Sequence, residues 1–245
     1  LAKIETALIV DHVWIDMKDH RHYLDSSFLR MDPPTLSRIY PEVPVASNEP
    51  DILVALLLRL RIRKGSDARV SFWEIGTASG DTSYALLNRL PWLHVTAVDA
   101  YTATVYESTS ISFAHHEDAY GKLSQYVRAS RRLEEFPNRT LLLRMDSVAA
   151  ARSAGTTTET PDLVYIDAGH DFCNVLADVQ AWWPQMKSSS GIIAGHDWSW
   201  GLGFAEGPAV AMAVVHQLFH EKDPYLLHIS PSGIWWIDFL ATSDS

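Results

Sequence analysis

Between Arg69 and Ala194 the chain alternates short apolar runs with longer helical patterns, and that alternation admits few folds. The runs cover residues 70–75, 94–98, 140–144, 163–166 and 191–194, with helical patterns over 82–90, within 116–136, 147–153 and 173–186. Strands separated by helices require βαβ crossovers, which make the strands parallel and cover both faces of the sheet. A further helix over 208–220 precedes two strand-like runs, 225–229 and 234–239, joined by Ser230-Pro231-Ser232-Gly233. This last pair reads as a hairpin and is at least partly antiparallel. The expected fold is α/β: a doubly wound, mostly parallel seven-stranded sheet with a terminal antiparallel hairpin.

In an open parallel sheet, ligands sit outside the carboxyl ends of the strands. At those ends the sequence places Glu74-Ile75-Gly76, Asp99-Ala100-Tyr101, Asp146-Ser147, Asp167-Ala168-Gly169-His170-Asp171 and His196-Asp197-Trp198. Acids gathered along one edge mark a single polar cleft. The turn Gly76-Thr77-Ala78-Ser79-Gly80 carries little side-chain bulk, so its N–H groups and the following helix N-terminus can approach a ligand closely. Glu74 beside it adds a negative sign, which favours a cationic or hydroxyl-rich ligand over a bare pyrophosphate. Asp99 lies at the spacing from which an acid accepts ribose hydroxyls, or else caps a helix. Asp146-Ser147 reads equally as a helix cap and as an adenine contact.

Asp167 and Asp197 close adjacent strands, so their carboxylates are expected to face each other. Such a pair repels unless a proton or cation separates it, and hard divalent cations take oxygen ligands from pairs of this kind. The ion would acidify a substrate hydroxyl in place of one of its waters. His170 and His196 are the nearby proton acceptors, with His196 alternatively a ligand; each also reads as a structural hydrogen-bond donor. Trp198 and Trp200 flank Gly201-Leu202-Gly203 and read either as aromatic walls for a cation or as packing. Trp182-Trp183 and Trp235-Trp236 read as core. His12, His20 and His22 fit no metal template and read as solvated helix residues.

Net charge of −10 argues against a nucleic-acid scaffold, and the basic residues at 59–64 and 128–132 read as solvated helix faces. The single cysteine, Cys173, permits neither an intrachain disulfide nor a Cys-based zinc site, and makes reducing cytosol the default compartment. No apolar run is long enough to span a bilayer. Residues 1–50 are irregular and proline-punctuated; they read as a helix and extended loops forming a substrate-side lid on a domain of residues 51–245. Residues 51–64 read as an amphipathic helix capped by Asn48 or Asp51.

The motifs together resemble the class I S-adenosylmethionine-dependent methyltransferases, with their Rossmann-like fold. Glu74-Ile75-Gly76-Thr77-Ala78-Ser79-Gly80 matches the first motif, Val98-Asp99 the ribose-binding acid and Met145-Asp146-Ser147 the adenine-side motif. The pattern Asp162-Leu163-Val164-Tyr165-Ile166-Asp167-Ala168-Gly169-His170-Asp171-Phe172, then Asp178, Trp182 and Gly191 to Trp198, is similar to the methyltransferase-24 family and to metal-dependent O-methyltransferases. The resemblance implies methyl transfer to a hydroxyl of a small sugar-like or catechol-like acceptor. It implies S-adenosylmethionine contacts from Glu74, Gly76, Thr77, Ala78, Ser79, Gly80, Asp99, Ala100, Tyr101, Asp146, Ser147 and Asp167. It implies Mg²⁺, or another divalent cation, on Asp167, His196 and Asp197, with His170 and Asp167 catalytic. His196 departs from relatives that carry a further acid there. A homo-oligomer is expected by analogy. Two rival readings are an NAD(P)-dependent oxidoreductase and a non-catalytic cofactor-binding module of the same fold.

Overall fold

The computed structural model describes residues 7–10, 13–16, 49–65, 67–102, 119–154, 156, 160–198, 208–221, 225–230 and 232–239. In chain order the elements are β1 (Ala7–Val10), β2 (Val13–Asp16), α1 (Glu49–Lys64), β3 (Val70–Ile75), α2 (Asp81–Arg89), β4 (Leu93–Val98), α3 (Ala119–Leu133), β5 (Thr140–Leu143), α4 (Ser147–Ser153), β6 (Leu163–Ile166), α5 (Phe172–Ser189), β7 (Ile192–Gly195), α6 (Ala209–His220), β8 (Leu227–Ile229) and β9 (Trp235–Asp238).

β3 to β9 form one seven-stranded sheet in the order β5-β4-β3-β6-β7-β9-β8. β3, β4, β5, β6 and β7 run parallel, and β9 inserts antiparallel between β7 and β8. The expected architecture and its reversed terminal hairpin are both present, with element ends within one to three residues of the sequence reading. The first three strands of the sheet build outward in one direction and β6 and β7 in the other. The strand order therefore reverses between β3 and β6, and all five parallel strands open their carboxyl ends on the same edge.

Period-two alternation explains why both faces are buried. Phe72 and Trp236 face the α1–α2 side with Ile52, Leu56 and Leu86, whereas Trp73 and Trp235 face α5 and α6 with Trp182, Val179 and Val214. Trp73 and Trp182 meet edge to face at 5.3 Å. The tryptophans read as core, Trp182, Trp183, Trp235 and Trp236, are core. Trp198 joins them at 2% exposure, so it is packing and not an aromatic wall. Trp200 and the loop at 201–203 lie outside the described residues, as do His12, His20 and His22.

Two expectations are corrected. The first described segment is a hairpin, with β1 paired antiparallel to β2, where a helix was expected; the β-branched and aromatic residues of ALIV and VWID favour extended backbone. The basic run of α1 is not simply solvated. Arg63 Nη1 donates to Asp238 Oδ1 at 2.9 Å and Arg59 Nε to Asp238 Oδ2 at 3.2 Å, while Lys64 pairs with Asp162 at 2.6 Å. Asp238 closes β9 with a fully enclosed side chain, so its charge requires these partners. The pair clamps α1 across the sheet. Asp238→Ala is expected to destabilise the fold by roughly 2–3 kcal/mol. That is less than for a fully enclosed pair, because Arg59 and Arg63 keep some contact with water. Denaturant titration measures it; an unchanged midpoint would remove the clamp from the account.

Candidate active site

Gly76 ends β3 with φ +91°, and a Cβ there would lie 2.2 Å from the Asp167 carbonyl oxygen. No side chain fits, so glycine alone lets the ends of β3 and β6 close together. Gly80, at φ +74°, turns the chain into α2. Between them the loop is tied down from within. The N–H groups of Gly76 and Thr77 donate to the Val98 carbonyl at 2.8 and 3.2 Å, and that of Gly80 to the Thr77 carbonyl at 2.8 Å. The Ala78 N–H donates to Asp99 Oδ2 at 2.9 Å. The loop thus offers a ligand fewer free N–H groups than its composition suggested.

Asp99 also accepts from the Tyr101 N–H at 2.7 Å, and the Tyr101 hydroxyl donates back to the Ala78 carbonyl at 3.0 Å. One carboxylate therefore joins the end of β4, including Ala100 and Tyr101, to the glycine loop, with lone pairs left for hydroxyl donors. On the outer side Arg132 of α3 donates to the Ser79 carbonyl at 2.6 Å and pairs with Asp81 at 2.8 Å. Asp146 is the cap of α4, accepting from the Ala149 N–H at 3.1 Å. Ser147 accepts from Trp182 Nε1 at 3.1 Å, which binds α4 to α5.

Asp167, His170, His196 and Asp197 converge at the ends of β6 and β7. His170 Nε2 lies 3.0 Å from Asp197 Oδ2 and 3.7 Å from Asp167 Oδ1. His196 Nδ1 lies 3.2 Å from Asp197 Oδ1 and 3.9 Å from Asp167 Oδ1. One ligand atom each from Asp167, His196 and Asp197 falls within 4.8 Å of the others, a spacing that suits one divalent ion. All four side chains are about a quarter to a third exposed, so the cluster faces the cleft. Burial opposes charge on His170, but hydrogen bonds and charge from Asp167 and Asp197 outweigh it and push the imidazole up to about 9. His196 is raised chiefly by its hydrogen bond to Asp197. Against the cost of its own burial, both histidines hold Asp197 well below the usual carboxylate range. The near-neutral titration expected of His170 is thus displaced upward by its acidic neighbours. Backbone strain marks the same place, with Asp197 at φ 54°.

Glu49 is the residue that the sequence did not reveal. It opens α1, two residues before the expected start, and its Oε1 accepts from the Tyr165 hydroxyl at 2.9 Å and from Thr82 at 3.1 Å. Its Oε2 faces His196 Nε2 at 4.0 Å. The only hint in the sequence is Pro50, which suits the first turn of a helix and so places the helix start at Glu49.

Glu74 lies beneath the loop at 2% exposure, accepting hydrogen bonds from Ser83 and, at 3.4 Å, from Thr77. Burial pushes it up to about 8, with Ser83 pulling the other way. At neutral pH it is therefore largely uncharged, which corrects the negative sign expected of it. Its ordinary value is 4.5, so the unfolded chain releases this proton long before the folded one. The associated stability is complete below that value and is lost as pH rises through about 8. Between about pH 5 and 9 the wild type is expected to lose roughly 2–4 kcal/mol more than Glu74→Gln, which keeps the neutral shape. Equal losses in denaturant titrations of the two proteins would refute this.

Among curated proteins, no sequence matches this one. Similar solved structures include a Staphylococcus aureus protein assigned as a caffeoyl-CoA O-methyltransferase, at 13% identity and TM-score 0.51 over 85% of this chain and 93% of that one. A Corynebacterium glutamicum protein aligns at 15% identity and TM-score 0.50 over 89% and 91% of the two chains. At these identities the likeness establishes the fold. A methyltransferase domain family matches residues 73–198, just over half the chain, from the strand beneath the glycine loop to the tryptophan after Asp197. This chain belongs to that family, the methyltransferase-24 group of the class I S-adenosylmethionine-dependent methyltransferases.

Proposed function

We propose that this protein transfers the methyl group of S-adenosylmethionine to a hydroxyl oxygen of a small acceptor, sugar-like or catechol-like, beside a divalent cation such as Mg²⁺. The observation that carries this reading is the convergence of Asp167, His170, His196 and Asp197 next to the glycine loop. Asp167 is shared by both halves: its backbone packs on Gly76 and its carboxylate faces His170 and His196. The O-methyltransferase assignment of the Staphylococcus aureus structure agrees with an oxygen acceptor.

Asp99 is placed to accept the ribose hydroxyls, and the cap residue Asp146 with Ser147 borders the adenine end of the same edge. Asp167, His196 and Asp197 supply two carboxylates and an imidazole, a donor set that fits a divalent ion. When bound, such an ion would supply the positive charge that lowers the pKa of the acceptor hydroxyl. His170 is held protonated by Asp167 and Asp197, so it would accept the hydroxyl proton only with a cation offsetting those carboxylates, as the oxygen–methyl bond forms and the methyl–sulfur bond breaks. S-adenosylhomocysteine leaves. Alignment of oxygen, carbon and sulfur by the rigid ends of β3, β6 and β7 supplies the larger part of the acceleration. Residues 1–50 keep the reading of a substrate-side lid, and Glu49, the start of α1, lies at this cluster.

The loop geometry weighs against a dinucleotide. A pyrophosphate needs free backbone N–H groups, and those of Gly76, Thr77, Ala78 and Gly80 are committed inside the protein. S-adenosylhomocysteine at about 100 times its Kd is expected to raise the melting temperature by roughly 5–10 °C, and NAD(P) to leave it unchanged. The reverse result overturns the cofactor assignment. Asp197→Ala is expected to retain S-adenosylhomocysteine binding but to lose roughly 100-fold or more in methyl transfer to a panel of catechols and sugar alcohols. A wild type that binds the cofactor and methylates nothing across hydroxylated acceptors would favour the non-catalytic module.

A further inference from the structure

The two nitrogens of His196 face opposite ways. Nδ1 points to the carboxylate pair, 3.2 Å from Asp197 and 3.9 Å from Asp167. Nε2 points to Glu49 Oε2 at 4.0 Å. Glu49 is not loose in that position. Its other oxygen is held by Tyr165 on β6 and by Thr82 on α2, so three elements aim one carboxylate at the far side of the imidazole. An imidazole that ligates a metal through one nitrogen needs its other nitrogen protonated and oriented, and a carboxylate is a common acceptor for that proton.

We propose that Glu49 is the positioning residue that holds His196 as the Nε2–H tautomer, turning its Nδ1 lone pair toward the ion site formed with Asp167 and Asp197. The inference rests on the metal reading above and deepens it. A modest shift of the Glu49 carboxyl, or one bridging water, converts the 4.0 Å approach into the required hydrogen bond. The donor set then contains a committed nitrogen. Imidazole suits first-row transition ions, whereas Mg²⁺ prefers an all-oxygen shell. The site is therefore matched to an ion such as Mn²⁺ better than to Mg²⁺. Glu49 also gives the first turn of α1 a role at the cluster.

The test is Mn²⁺ titration of the full chain with S-adenosylhomocysteine bound, followed by electron paramagnetic resonance, on wild type, Glu49→Gln and the same-turn control Asp51→Asn. The wild type is expected to bind Mn²⁺ with an imidazole-nitrogen coupling in spin-echo spectra. Glu49→Gln is expected to weaken Mn²⁺ at least about tenfold and to diminish that coupling, with calorimetric S-adenosylhomocysteine affinity preserved and Asp51→Asn unchanged. Wild-type Mn²⁺ affinity and coupling in Glu49→Gln overturn the role of Glu49 and leave the metal reading standing. A wild type that binds no Mn²⁺ and no Mg²⁺ overturns both. Binding without nitrogen coupling in the wild type overturns His196 as a ligand and this inference with it. Should Glu49→Gln fail to fold, ¹⁵N spectra of His196 in the Zn²⁺-loaded wild type decide: a proton on Nε2 supports the inference, and a proton on Nδ1 overturns it.

Discussion

Where β3 meets β6 there is no space for a Cβ on residue 76, and that contact sets the spacing of everything above it. Gly76 presses on the backbone of Asp167 and Ala168, while the Asp167 N–H donates to the Ile75 carbonyl at 2.8 Å. The strand order reverses at this point, so the crevice of the sheet opens here. A side chain at residue 76 would part the two strand ends. The glycine loop and the carboxylate cluster would then no longer share one floor. The distance between the glycine loop and the carboxylate cluster is thus fixed by backbone packing.

On the floor of that crevice, charge is arranged by burial and by partners together. Glu74 is enclosed and largely neutral, and it serves the loop through hydrogen bonds from Ser83 and Thr77. Asp167 and Asp197 are half open and work through the histidines between them. Acids at neighbouring strand ends therefore sit in different surroundings. The one under the loop braces it, and those at the cleft pair with His170 and His196. Val98, Asp99 and Thr77 take up the N–H groups of Gly76, Thr77, Ala78 and Gly80, so the loop is not a cradle of free donors.

The layers of the fold were legible because period-two strands and glycine-ended turns are local signals. Phe72 and Trp73, or Trp235 and Trp236, announce opposite faces by adjacency alone. The acids at strand ends were legible for the same reason, since each follows its strand directly. What stayed hidden depends on distance in sequence. Asp238 reads as an ordinary terminal acid until Arg59 and Arg63 reach it from α1. Asp146 remained ambiguous between cap and contact because capping geometry requires coordinates. Glu49 lies 25 residues before the first motif acid and meets Tyr165, 116 residues away, only after the sheet has formed. The charge of Glu74 was misjudged because burial is a property of the packed core and not of the neighbouring letters.

Along the edge the groups run in order from Asp146 through Asp99 and the glycine loop to Asp167 and then His196-Asp197, following β5, β4, β3, β6 and β7. In the proposed reading this order sorts a reaction in space: adenine and ribose at one end, sulfur at the reversal point, and the oxygen to be methylated at the other. Asp167 stands at the junction, its main chain against the loop and its carboxylate against both histidines. Among the described residues, the start of α1 meets the His196 end of the edge through Glu49. The approach of α1 to His196 rests on one side chain, Glu49, held by Tyr165 and Thr82. In the proposed reading, ion selectivity is to be sought at that helix start and cofactor binding at the glycine loop. The two places are joined by the rigid β3–β6 contact and by the hydrogen bond from Thr82, at the start of α2, to Glu49.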